Sequence, residues 1–171
     1  MIVREAEISD AEKLICLMKH VESTSEYMLW EDGERDVTNA RQKEVLMRMK
    51  ERNNSTVLVA ENESKELAGY VFAIGGEARR NKHSSYIVAG VSKAHRGNGT
   101  GTKLFEELEQ WAKLHKIHRL ELTVVTRNEA GLSLYQKMGF EIEGTKRDSL
   151  LIDDEFLDEY YMSKLLSPFL H

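Results

Sequence analysis

The sequence predicts an α/β protein: a mixed central sheet of about six to seven strands with helices on both faces. Three observations carry this prediction. Apolar residues switch between strand and helix spacing in the order β-α-α-β-β-β-α-β-α-β-β. A glycine-rich turn, Arg96-Gly97-Asn98-Gly99-Thr100-Gly101, joins an apolar run to an amphipathic one. A second passage of the same kind closes on Gly139-Phe140.

Met1 to Glu5 reads as a short first strand. Ser9 or Asp10 can cap a helix reaching about Val21, with Leu14, Leu17, Met18 and Val21 on one face. Glu22 to Val37 is polar, is interrupted by Gly33, and reads as a loop. Thr38 can cap a second helix to about Arg52, turning Val45, Leu46 and Met49 inward. Thr56 to Ala60 is a strand, Asn62 to Lys65 a turn, and Leu67 to Gly75 the hairpin partner. Gly76 to His83 is a polar, locally basic loop before the strand Tyr86 to Val91. Thr102 to Leu114 places Leu104, Phe105, Leu108, Trp111 and Ala112 at helical spacing. Leu120 to Thr126 alternates like a strand, and Arg127 to Met138 reads as a short helix. Phe140 to Leu151 and Asp158 to Leu165 form a last strand pair across the acidic turn Asp153-Asp154-Glu155.

At 171 residues, one domain spanning 1–171 is expected. Apolar residues make up 41% of the chain, enough for a sizeable core. The net charge of −5 argues against general nucleic-acid binding, which favours a basic surface. A single cysteine, Cys16, forms no internal disulfide, and its place beside an apolar stripe suggests a small buried side chain. Nothing reads as a signal peptide or membrane span, so a cytoplasmic protein is expected. His115 and His118 lack companion ligands at metal spacing, so no metal is expected.

A glycine-rich turn before a helix offers backbone N–H groups and a favourable dipole to an anion, so the expected ligand carries phosphates. A Walker loop requires lysine directly after its last glycine, but Thr102 follows Gly101. A dinucleotide fingerprint requires G-x-G-x-x-G, whereas these glycines stand at 97, 99 and 101. The turn instead reads R-x-x-G-x-G over Arg96, Gly99 and Gly101. The second block reads N-x-x-G-x-x-L-Y-x-x-x-G-F from Asn128 to Phe140. Together, in this order, the two blocks resemble the coenzyme A site of the GCN5-related N-acetyltransferases (GNAT). The final strands, with Glu143-Gly144-Thr145-Lys146-Arg147-Asp148 and Asp158 to Leu166, resemble the amino-acid, phosphinothricin and ribosomal-protein N-terminal branch.

That resemblance implies acetyl-CoA bound where the fourth and fifth strands part. The backbone of Ala89, Gly90 and Val91 would meet the pantetheine arm, and Arg96, Gly97, Asn98, Gly99, Thr100 and Gly101 would hold the pyrophosphate. The Arg96 side chain either donates to phosphate or packs on the loop. Lys93 stands where the family usually has proline. Asn128 would contact the cofactor arm, cap the helix, or do both. Tyr135 would protonate the departing thiolate as general acid, or pack on Phe140. Thr123 occupies the position where several relatives carry a glutamate base. A base would come from the acidic stretch Glu22, Glu26, Glu31, Asp32, Glu34 and Asp36, or from water held by Thr123. Glu26 and Thr123 are therefore the substrate-side candidates. Arg79, Arg80 and Lys82 would reach the 3′-phosphate of CoA or an acidic substrate, or form a solvated turn. The implied activity is direct acetyl transfer to a primary amine by a homodimer without nucleic-acid or membrane partners. The alternative is a non-catalytic acyl-CoA-binding module.

Overall fold

The computed structural model describes residues 1–167. Seven strands form one sheet in the order β1-β2-β3-β4-β5-β7-β6. They are β1 (Ile2–Glu5), β2 (Thr56–Glu61), β3 (Leu67–Gly75), β4 (Ser84–Val91), β5 (Arg119–Val125), β6 (Glu141–Ile152) and β7 (Glu155–Leu165). Neighbours are antiparallel except β4 and β5, which run parallel. The helices are α1 (Ala11–Thr24), α2 (Asn39–Glu51), α3 (Thr100–Leu114) and α4 (Glu129–Lys137).

The strand period of two sorts β2 and β3 onto opposite faces. Val57, Val59, Tyr70 and Phe72 pack under α1 and α2 with Leu14, Leu17, Val21, Leu46 and Met49. Leu58, Ala60, Val71 and Ala73 pack under α3 with Leu104, Phe105, Leu108, Trp111 and Ala112. Both faces of β2 are therefore covered, and all six of its residues are buried.

Thr38 caps α2 as expected, its Oγ1 accepting from Arg41 N–H at 3.2 Å. Asp10 precedes α1, but its carboxylate accepts from Glu7 N–H at 2.8 Å and pairs with Arg4, so its capping duty lies one turn earlier. The first helix continues to Thr24, so Glu22 lies on α1 rather than in a loop. Cys16 is exposed, contrary to the sequence reading: it falls just off the stripe formed by Leu14 and Leu17. The last hairpin turns through two residues, Asp153 and Asp154, with φ of 50° and 61°. Such a turn matches strand twist and lets pairing resume at once, so β7 begins at Glu155 rather than Asp158.

Candidate functional site

The site lies where the sheet opens. β4 and β5 pair only at Ser84–Tyr86 against Arg119–Glu121. Beyond that, β4 stays with β3 through Val91, while β5 stays with β7 through Val125. Gly76 N–H donates to Ser84 and Ser92 N–H to Ala68, at 3.0 and 2.8 Å. Even-numbered residues of β4 therefore spend their polar backbone groups on β3, and odd-numbered ones face the gap. Ala89 turns its N–H and C=O into the opening and Val91 its N–H, the Val91 carbonyl being taken by Arg96 Nε, whereas Gly90 is committed to Tyr70 across the ladder. Gly90 instead provides space: a β-carbon there would stand 2.7 Å from the Tyr70 hydroxyl.

The turn after β4 is held at its base by Ser92 Oγ and His95 Nδ1, 2.7 Å apart. Lys93 opens a short 3-10 turn there and leaves that geometry intact. Gly97 and Gly99 have φ of 73° and 79°, with open space where a β-carbon would project. These two glycines are required for backbone conformation. Gly101 differs: a β-carbon there would meet Leu134 Cδ2 at 2.9 Å, so its absence lets α4 approach α3. At Gly101, therefore, the missing side chain makes room for Leu134, and what the residue can offer the pyrophosphate is its backbone N–H. Among the described residues, the N–H groups from Gly97 through Thr102 find no intramolecular acceptor. They converge where the α3 dipole begins, which is the arrangement an anion needs.

Arg96 does not point its side chain into this cradle. Its Nε donates to the Val91 carbonyl, Nη1 to the Thr24 carbonyl and Nη2 to Thr24 Oγ1, each at 3.0 Å. Asn98 reaches back to the Ala94 carbonyl at 3.5 Å. Arg79, Arg80 and Lys82 are exposed on the turn that enters β4, at the far end from the glycine turn. The strand between spans on the order of 26 Å, so their reading as 3′-phosphate contacts is withdrawn.

On the other side of the gap, Asn128 caps α4, its Oδ1 accepting from Gly131 N–H at 3.0 Å. Its Nδ2 has no acceptor among the described residues and remains able to donate. Gly131 lets the Asn128 amide sit close over the first turn, since a β-carbon there would lie 2.7 Å from Nδ2 and the amide would have to shift. The Tyr135 ring packs between Phe105 and Phe140, at 5.4 and 6.1 Å between centroids. Burial, with a smaller contribution from Tyr86, pushes its phenol up to about 12. Tyr135 therefore holds its proton at neutral pH.

Thr123 bonds to the Tyr86 hydroxyl at 2.9 Å. Nothing in the sequence singles out Tyr86 for this place: it pairs with Glu121 at the end of the β4–β5 ladder, and its hydroxyl reaches Thr123 two residues further on. Of the acidic stretch, Glu22 is buried and pairs with Arg35, whose guanidinium lies 5.4 Å from the Trp30 ring centroid. Glu22 therefore leaves the list of free bases. Glu26, Glu31, Asp32, Glu34 and Asp36 remain exposed. His115 stacks on Trp111 and bonds the Trp111 carbonyl through Nδ1 at 2.8 Å, near the end of α3. His118 lies beside His83, with 6.3 Å between ring centroids.

The sequence model of the acetyltransferase (GNAT) family matches residues 17–140, most of the chain and both blocks around the gap. The chain belongs to this family. The acetyltransferase of the GNAT family from Streptococcus pneumoniae superposes with a TM-score of 0.92 at 31% identity, covering 97% of this chain and 99% of that one. A phosphinothricin acetyltransferase from Sinorhizobium meliloti, solved in complex with AcCoA, shares the GNAT fold at TM-score 0.84 and 18% identity. It covers 96% of this chain and 88% of that chain. L-amino acid N-acetyltransferase AaaT of Escherichia coli (strain K12) is 32% identical over 87 residues, or 50% of this chain. That match spans about half the relative's length, 54%.

Proposed function

We propose that this GNAT protein transfers the acetyl group of acetyl-CoA directly to a primary amine. The carrying observation is the coincidence of two unsatisfied backbone surfaces at one gap. Ala89 and the Val91 N–H present strand groups without a partner, and Gly97 to Thr102 present unpaired N–H groups at the start of α3. The first suits an amide-containing arm and the second a pyrophosphate. Acetyl-CoA carries both and supplies an activated thioester. The free Asn128 amide adds a donor on the opposite wall.

Tyr135 is read as the general acid: its proton is retained at neutral pH and is available to a departing thiolate. The Thr123–Tyr86 hydroxyl pair is read as the route by which the incoming amine loses its proton to solvent. Five exposed carboxylates, from Glu26 to Asp36, favour the approach of a cationic amine. Free amino acids and peptide N-termini both offer such a group. Thiol release from acetyl-CoA over a panel of small amines and peptides tests the reading. Turnover with at least one amine is the expected result, while binding of CoA without turnover on any amine would leave an acyl-CoA-binding module.

The quaternary proposal is a homodimer in the cytoplasm. β6 is an edge strand, and Ile142, Leu151, Phe156 and Leu165 on the last hairpin are 44–63% exposed. Covering these side chains with a second copy would remove apolar surface from water. Light scattering at twice 19.7 kDa is expected, and a mass at the single-chain value disposes of the dimer. Cell fractionation checks the compartment.

A further inference from the structure

We propose that Arg96 is a positioning residue that couples the glycine-rich turn to the acceptor-side end of α1. The proposal rests on the assignment of that turn to acetyl-CoA. One planar guanidinium reaches three acceptors on two elements. Nε takes the Val91 carbonyl, at the end of β4 beside the gap, while Nη1 and Nη2 take the carbonyl and hydroxyl of Thr24. Thr24 is the last residue of α1, immediately before the loop with the exposed carboxylates. Its hydroxyl is itself oriented by donation to the His20 carbonyl at 2.8 Å. A fork of fixed geometry can hold this span, whereas a lysine point charge cannot.

Two features separate this role from simple packing. Arg96 is exposed, so its side chain contributes little to either core. Its cation also lies against the Thr24 carbonyl at a helix C-terminus, where the dipole favours it. The cradle beside it consists of main-chain N–H groups, so an anion there orders the backbone that carries Arg96. Ordering that backbone fixes the fork, and fixing the fork restrains Thr24 and the residues that follow. By linkage the effect runs both ways: restraining the acceptor loop strengthens CoA binding by the same factor.

The test uses coenzyme A as the probe, with hydrogen exchange of residues 25–37 and calorimetric affinity as readouts. In the wild-type protein, saturating CoA slows exchange at the start of this segment by about fivefold or more. Arg96→Gln abolishes that CoA-dependent protection and weakens CoA binding about two- to fivefold, while Thr24→Val, which keeps the carbonyl contact, lowers both by a smaller factor. The double variant is no worse than Arg96→Gln alone, as a shared link requires. Thr24→Ser keeps the oxygen and behaves as wild type. Undiminished protection in both single variants overturns the proposal. So does a loss of about tenfold or more in Arg96→Gln with Thr24→Val unaffected, which makes Arg96 a phosphate ligand. A wild-type protein that does not bind CoA overturns the acetyl-CoA assignment itself and the coupling with it.

Discussion

Tyr135 is one hydroxyl on a ring wedged between Phe105 and Phe140, so Tyr135→Phe deletes the proton and keeps the packing. Turnover is expected to fall by about 10²–10⁴-fold while CoA affinity is kept. Full activity in that variant returns Tyr135 to a packing role. With the phenol raised to about 12, its proton stays bound across the working range. The rate of a general-acid step is therefore not lost on the alkaline side below about pH 10. Deprotonation of the incoming amine raises kcat/KM toward pH 8–9, roughly, before any such loss. A flat pH profile argues for an acceptor without a titrating amine. The glycines separate at the same scale. Gly101→Val drives a branched side chain into Leu134 and is expected to cost about 1–3 kcal/mol of stability, seen as a lower melting point. Gly99→Val meets no neighbour but must hold φ near 79°, a left-handed strain of about 1–2 kcal/mol. Equal melting points for Gly101→Val and wild type would remove the α3–α4 contact from the account. The motif spacing revealed which glycines matter. It did not reveal that one serves a helix contact and another a turn, because that distinction depends on what lies opposite each residue.

Arg4 joins three elements: it pairs with Asp10 before α1 and with Glu61 at the end of β2, at 2.7 Å each. The bond to Arg4 holds both carboxyls below their ordinary range, with Lys65 assisting at Glu61. Their folded-state values are depressed, so the stabilisation is present above the ordinary carboxylate range and is lost as pH falls through the lowered values. Arg4→Met is expected to lower the melting point at pH 7 by a few degrees and to flatten its decline in acid. An unchanged acid limb in differential scanning calorimetry would show the cluster to be inert. The loop between α1 and α2 makes a different prediction. Its exposed carboxylates attract a cation through solvent, and salt screens such attraction. Added salt should therefore raise the KM of a cationic amine, and a salt-independent amine KM would mean the loop is solvated without steering anything. Element types were legible because short apolar runs, such as Val57 to Ala60, stand apart from helical spacing, as in Leu104 to Ala112. Boundaries were less so at α1, where Glu22 looks like loop polarity. Its partner Arg35 lies thirteen residues away, and only the fold shows that this carboxylate is buried and matched.

At the scale of the molecule, ligand and stability are linked. A ligand that binds only the folded state adds about 2.7 kcal/mol at a hundredfold excess over Kd, so saturating acetyl-CoA is expected to raise the melting point. No shift with acetyl-CoA, against a clear shift with an unrelated nucleotide, would move the phosphate cradle to another ligand class. The architecture was readable as element order and as a mixed sheet, whereas the parallel pairing of β5 with β4 emerged only from the ladders. The partner groups that face the gap were not, since they follow from ladder parity rather than from residue type. That opening has a mechanical meaning. The sheet divides into two plates, β1 to β4 and β5-β7-β6, joined by only three residue pairs, a seam narrow enough to serve as a hinge. Phe105 from the first plate's following helix and Phe140 from the second meet edge to face at 5.8 Å across the hinge, and so act as its stop. A softer stop widens the opening that an acyl group must fit. Phe105→Leu should accordingly shift the ratio of kcat/KM for propionyl-CoA over acetyl-CoA upward by about threefold or more, a change worth less than 1 kcal/mol of barrier. An unchanged ratio would mean that the hinge is rigid without its stop. The expected shift would make tolerance for acyl length a matter of the stiffness of a joint as well as of the walls of a pocket.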